Sequence, residues 1–209
     1  MRRVLGRSLV ALLCGLAATV LVGTGTTMAA AATPSDIGIS FFPDGDPGQC
    51  GGPQQQWVVQ GDWTNPLRFD TDNRAGGCQL AFGIRDQANN LAGLHVSYQW
   101  QASPGGDAGQ CGNQGTFAFP ITPNLVFGPN IRVDTDNRSG WCNLTFSLSG
   151  RTDVALDVQW FADGDAGQCR NALPAGQFRS VLNGVPVTIG DDTDSRAGGC
   201  DLLLRFRQF

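Results

Sequence analysis

The sequence predicts an all-β fold with pseudo-three-fold symmetry, β-trefoil-like, with a β-prism of three sheets as the alternative. Three observations predict it. The first is repetition: Gly45-Asp46-Pro47-Gly48-Gln49-Cys50 returns as Gly106-Asp107-Ala108-Gly109-Gln110-Cys111 and as Gly164-Asp165-Ala166-Gly167-Gln168-Cys169. Each copy is followed by a second motif, Asp70-Thr71-Asp72-Asn73-Arg74 with Cys78, Asp134-Thr135-Asp136-Asn137-Arg138 with Cys142, and Asp192-Thr193-Asp194-Ser195-Arg196 with Cys200. A fixed period of about 60 residues means one supersecondary unit used three times. The second is apolar alternation with period two, and the third is the absence of any helical period in a chain carrying 29 glycines and 11 prolines.

Residues 1–32 read as an export signal. Arg2, Arg3 and Arg7 precede an apolar run from Leu9 to Val22, and Ala30-Ala31-Ala32 offers a small-residue cleavage site. The expected product is a secreted, extracellular domain over 33–209 with no membrane insertion, made of repeats 37–86, 94–150 and 155–209. Segments 87–93 and 150–154 are too short to act as domain linkers.

Within each repeat the alternation marks the strands. Ile37, Ile39 and Phe41 align with Val96, Tyr98 and Trp100, and with Leu156, Val158 and Trp160. After the second cysteine, Leu80, Phe82 and Ile84 align with Leu144, Phe146 and Leu148, and with Leu202, Leu204 and Phe206. Such spacing puts one face of each strand toward a core. Two shorter candidates lie between them, such as Trp57-Val58-Val59 and Leu67-Arg68-Phe69, giving about four strands per repeat.

Six cysteines beyond the signal stand at matching positions, and a patterned even count in an exported chain reads as a disulfide framework. The repeat pairs them as Cys50–Cys78, Cys111–Cys142 and Cys169–Cys200. Each bridge closes a loop of about 30 residues, worth roughly 3–4 kcal/mol by the chain-entropy account. Zinc is a poor fit, with no C-x-x-C pair and one histidine in the chain.

Every acid is aspartate and every base arginine. Setting aside the three signal arginines leaves 11 arginines against 18 aspartates, a net charge of about −7. That balance argues against nucleic acid and anionic membranes as partners. If the disulfides form, Asp44, Asp46, Asp70 and Asp72 gather in repeat 1, and Asp163, Asp165, Asp192 and Asp194 in repeat 3. Packed carboxylates need a cation. It could be calcium, or it could be an arginine clasp formed by Arg74, Arg138 and Arg196. The clasp is favoured, because the run lacks the third acid and the glycine of a calcium loop, and because repeat 2 carries only Asp107 in its first loop. No cofactor is otherwise expected.

No catalytic residues are assigned and the chain is read as a non-enzyme. His95, the single histidine, falls on an outward strand position, and nothing near it resembles a nucleophile loop. Binding is then the expected role, with other secreted proteins or glycans as partners. Candidate partner contacts are where the repeats differ: Trp63; Ile121, Leu125 and Phe127 in the insertion 119–130; and Trp141, which replaces Gly77 and Gly199. A lectin-like carbohydrate-binding module is the alternative, although Gln55-Gln56-Trp57 is the sole Q-x-W sequence. A protease inhibitor on a disulfide scaffold is the second alternative.

The leader, the lysine-free composition and the repeated GDxGQC…DTDxRxGxC pattern resemble those of small secreted proteins of Streptomyces and relatives. Among these, the size and the lack of a catalytic motif are similar to the adaptor subunit of umbrella toxin particles. That resemblance implies a bridge between a large toxin polypeptide and a lectin-bearing subunit; it carries over no contact residue.

Overall fold

In the computed structural model, residues 34–70, 75–134, 139–192 and 197–209 are described. Repeat 1 supplies β1 (Asp36–Pro43), β2 (Cys50–Gly51), β3 (Gln55–Val59), β4 (Leu67–Asp70) and β5 (Gly77–Arg85). Repeat 2 supplies β6 (His95–Ala102), β7 (Cys111–Gly112), β8 (Gly115–Ala118), β9 (Ile121–Thr122), β10 (Ile131–Asp134) and β11 (Trp141–Ser149). Repeat 3 supplies β12 (Val154–Ala162), β13 (Cys169–Arg170), β14 (Arg179–Val181), β15 (Val187–Asp192) and β16 (Gly199–Gln208). The four expected strands per repeat are present. A two-residue strand after each first cysteine (β2, β7, β13) escapes sequence patterning because two residues carry no period.

The strands form three sheets, ordered β3-β1-β5-β10-β7 with β9 beside β5, then β13-β15-β11-β6-β8, then β14-β12-β16-β4-β2. Each sheet takes three strands from one repeat and the rest from another, three in the first sheet and two in each of the others. The first borrows from repeat 2, the second from repeat 3, and the third from repeat 1. The aligned apolar residues all point inward and are buried, from Ile37, Ile39 and Phe41 through Leu202, Leu204 and Phe206. Burying such a side chain stabilises by roughly 1.5–3 kcal/mol, so these eighteen positions dominate the fold.

The three disulfides pair as the repeat predicts, each with Cα atoms 5.7 Å apart. Each also joins two different sheets. Cys50 sits on β2 and Cys78 on β5; Cys111 sits on β7 and Cys142 on β11; Cys169 sits on β13 and Cys200 on β16. The covalent links therefore run sheet to sheet around the core.

The insertion 119–130 folds back onto the first sheet. Phe119 is buried and stacks on Phe82 with ring centroids 5.2 Å apart. Ile121 pairs with Ile84 in the parallel β9–β5 ladder, and the Gly128 amide donates to the Phe82 carbonyl at 2.8 Å. Phe127 packs on Trp57 at 4.9 Å. Trp57 itself lies over Gly38 and Gly83, which face each other in register on β1 and β5. A Cβ on Gly38 would come within 2.5 Å of the indole, so this flat seat needs glycine. Leu125 and Val126 remain exposed.

Candidate functional site

The repeated GDxGQC segment is a structural device. Its aspartate caps a 3-10 turn: Asp46, Asp107 and Asp165 accept from the amides of Gly48, Gly109 and Gly167 at 2.8, 2.7 and 2.8 Å. Its glutamine is buried and plugs the corner. Gln49, Gln110 and Gln168 donate through Nε2 to the carbonyls of Gly77, Ser139 and Gly199 at 2.9, 3.2 and 3.0 Å. The cysteine then ties that corner to the next sheet. One oxygen of each of these three aspartates is thus engaged by a backbone amide.

Asp44 and Asp163 each meet an arginine. Asp44 accepts from the Gly77 amide at 2.7 Å, from Gln79 at 2.8 Å and from Arg132 Nε at 2.5 Å. Arg132, with Gln79 and Gly77 assisting, holds the Asp44 carboxyl below its ordinary value against the opposing effect of burial. Asp163 accepts from the Gly199 amide at 2.7 Å and pairs with Arg68 at 2.9 Å. Arg132 and Arg68 each reach across from a different repeat. Arg74, Arg138 and Arg196, with Asp72 and Asp194, lie outside the described residues, as does the Asp70 side chain. Among the described residues no three His, Cys, Asp or Glu side chains gather as metal ligands.

The third corner is built differently. Arg68 and Arg132 each face a glycine across the ladder, Gly51 and Gly112. At the third corner the pair is reversed: Arg170 on the short strand faces Gly190 on the long one. The acid changes with it. Ser103 stands where Asp44 and Asp163 stand, its hydroxyl accepting from the Trp141 amide at 3.2 Å. The glycines change too. A Cβ on Gly77 or Gly199 would meet Arg132 Cζ at 2.9 Å or Arg68 Nε at 2.8 Å, whereas Trp141 occupies the matching place because no arginine rises from Gly190. Arg170 instead sits over the Trp141 ring, its Cζ 3.4 Å from the centroid. Trp141 Nε1 donates to Asn143 Oδ1 at 3.1 Å. This exchange was present in the aligned repeats, but it acquires meaning only once the β2–β4 type of pairing is known.

The remaining candidate contacts are dispersed. Trp63 packs edge-on against Phe178 at 5.6 Å beneath Arg205, 4.4 Å from its ring, outside the third sheet. There Asp157 is fully buried and accepts from Ser180, Arg205 and Arg207. Ile121 and Phe127 serve the first sheet, Leu125 is exposed beside them, and Trp141 belongs to the second. The structure therefore does not gather Trp63, Ile121, Leu125, Phe127 and Trp141 into one surface. His95 is exposed, opposite Ser149, and lines a shallow groove with Ser97 and Ser147.

One buried group was missed in the sequence. Phe69, Val133 and Asp191 each sit between two cysteines, paired with Cys50 and Cys200, with Cys111 and Cys78, and with Cys169 and Cys142. Repeat 3 thus places a carboxyl where the others place apolar side chains. Both Asp191 oxygens lack a hydrogen-bond partner, as do Trp100 Nε1 and Trp160 Nε1. All three residues line one cavity of about 10 Å³, room for a single water. Burial, with Asp192 adding repulsion, pushes the Asp191 carboxyl up to about 8.

No family model matches this chain, and neither a curated protein nor a solved structure does.

Proposed function

We propose that this is a secreted, non-catalytic binding protein, an adaptor that docks other extracellular proteins through the places where its repeats differ. The observation that carries this reading is the division of labour among its side chains. Among the described residues, the aspartate of each GDxGQC copy caps a backbone amide, and Asp44 and Asp163 are held by Arg132 and Arg68, which leaves these acids to the scaffold. The exceptions to the repeat, Trp141 with Arg170, Trp63 with Phe178, and the exposed Leu125 and Val126, stand on the outside. The resemblance to the adaptor of umbrella toxin particles points the same way, toward bridging subunits of an extracellular complex.

The strand pairing favours the prism alternative over a trefoil. In each repeat the first long strand pairs on both sides within its own repeat, and the three sheets stay separate instead of closing into one barrel. A prism presents three outer faces, which suits a bridge between unlike partners. Export fits the three disulfides, since such bonds persist in oxidising surroundings.

The test is affinity capture from culture supernatant of the producing organism, with the captured proteins identified by mass spectrometry. A defined secreted protein retained in fixed ratio is the expected result. Capture of nothing, together with specific binders on a glycan array, would overturn the adaptor in favour of the lectin. Stoichiometric inhibition of a secreted protease would do so in favour of the inhibitor.

A further inference from the structure

We infer that the groove beside Arg170 is a docking site for an acidic segment of a partner protein, with Arg170 as the fork that takes its carboxylate. The inference deepens the adaptor reading and rests on it for the class of partner.

The first ground is charge. Among the described arginines, Arg68, Arg85, Arg132, Arg151, Arg205 and Arg207 each pair with a carboxylate. Arg170 and Arg179 do not. Arg170 lines this groove, and Arg179, outside the lining, donates to the carbonyl of Asn171, the next residue in its wall, at 2.5 Å. In a chain with more acids than bases, two cations without internal acids at one place call for an acid from outside.

The second ground is the reversal at this corner. At the other two corners the arginine points to Asp44 or Asp163, so the clasp closes within the molecule. Here Ser103 has removed the acid, and the arginine has crossed to the short strand, where it is exposed. Trp141 lies beneath its guanidinium, with Cζ 3.4 Å from the ring centroid. A planar, supported fork is suited to two parallel hydrogen bonds with one carboxylate. Asp163 and Asp165, the acids nearest in sequence, are committed to Gly199 with Arg68 and to Gly167.

The third ground is the groove itself, an open cleft of about 570 Å³ with walls from Phe161, Ala172, Leu173 and Pro174. Asn171 provides the other polar side chain, and its amide already donates to Thr188 O at 3.3 Å. An apolar side chain flanking an Asp or Glu would find both a wall and a fork.

The test follows the Trp141 indole and Arg170 Nε–H signals of the ¹⁵N-labelled mature protein by NMR. The probe is the capped peptide acetyl-Ala-Phe-Asp-Leu-Asp-Ala-amide, and the control is its twin with Asn for Asp. Saturable shifts of both signals, at least ~10-fold weaker with the twin, are expected, as is loss of the peptide-induced Trp141 shift in Arg170→Gln with signals remote from the site unmoved by the substitution. Absence of shifts, equal binding of the twin, or binding retained by Arg170→Gln overturns the inference. Tighter binding of polygalacturonate or inorganic phosphate than of the peptide also overturns it, assigning the fork to an acidic glycan or a free anion. Partner capture unaffected by Arg170→Gln would sink the groove and leave the adaptor standing. Peptide binding without any captured protein would do the reverse.

Discussion

Replacing Asp191 with valine, the residue found at the matching position 133, should stabilise the protein, and more so as pH rises. Asp191 is buried, its carboxyl has no partner, and its proton is held up to about 8, whereas in the unfolded chain it leaves near 3.8. Between those values the folded protein binds the proton more tightly than the unfolded chain, so stability falls as pH rises through this window. Each pH unit across it costs about 1.4 kcal/mol, which makes about 4 kcal/mol at pH 7. That is an upper bound, since a water in the adjoining cavity would offset part of it. The assay is urea unfolding of both proteins, disulfides intact, at about pH 4 and pH 7.5, comparing the difference between them at each pH. Groups shared by the two proteins cancel in that difference. The expected gain for Asp191→Val is small in acid and several kcal/mol near neutrality. A gain that does not grow with pH, or a net loss at pH 7.5, would refute the account of Asp191 as a neutral carboxyl held in the core.

Three other expectations are simpler to check. Asp44→Asn should cost about 1 kcal/mol at neutral pH, and the cost should vanish in acid. Its carboxyl is held below 3.8, so its contribution is present above that value and lost as pH falls through the lower folded one; chemical denaturation at two pH values measures this. Phe119→Ala should lower stability by about 3 kcal/mol, because its ring is buried against Phe82 rather than offered to a partner; a small effect on the melting temperature would count against the folded-back insertion. Gly38→Ala should lift Trp57 off the first sheet, seen as a red-shifted tryptophan emission, since the added carbon would stand 2.5 Å from the indole.

The long strands were legible because their side chains alternate with a period that only an extended chain uses, as Ile37, Ile39 and Phe41 illustrate. The disulfides were legible because repetition reduces many pairings to one. The role of the loop acids was not, since a capping aspartate and a metal-binding one share the same glycine-rich setting and differ only in which atoms they face. The Arg132–Asp44 pair was hidden for a topological reason: Arg132 meets Asp44 because β10 leaves its own repeat to join β5, and pairing between repeats leaves no local mark. Asp191 could have been found. Leu67 and Phe69, Ile131 and Val133, and Ile189 and Asp191 share one alternation, and extending it two residues places a carboxyl inside.

The bridges also decide what a proteolytic cut would do. The exposed stretches around Gly61, Leu125 and Phe178 all fall inside segments closed by a cystine, 50–78, 111–142 and 169–200. A cut at any of them leaves both new ends tethered to the body. Such a nicked molecule would migrate intact on a non-reducing gel and come apart only after reduction, so its most accessible segments can be cleaved without a piece being shed.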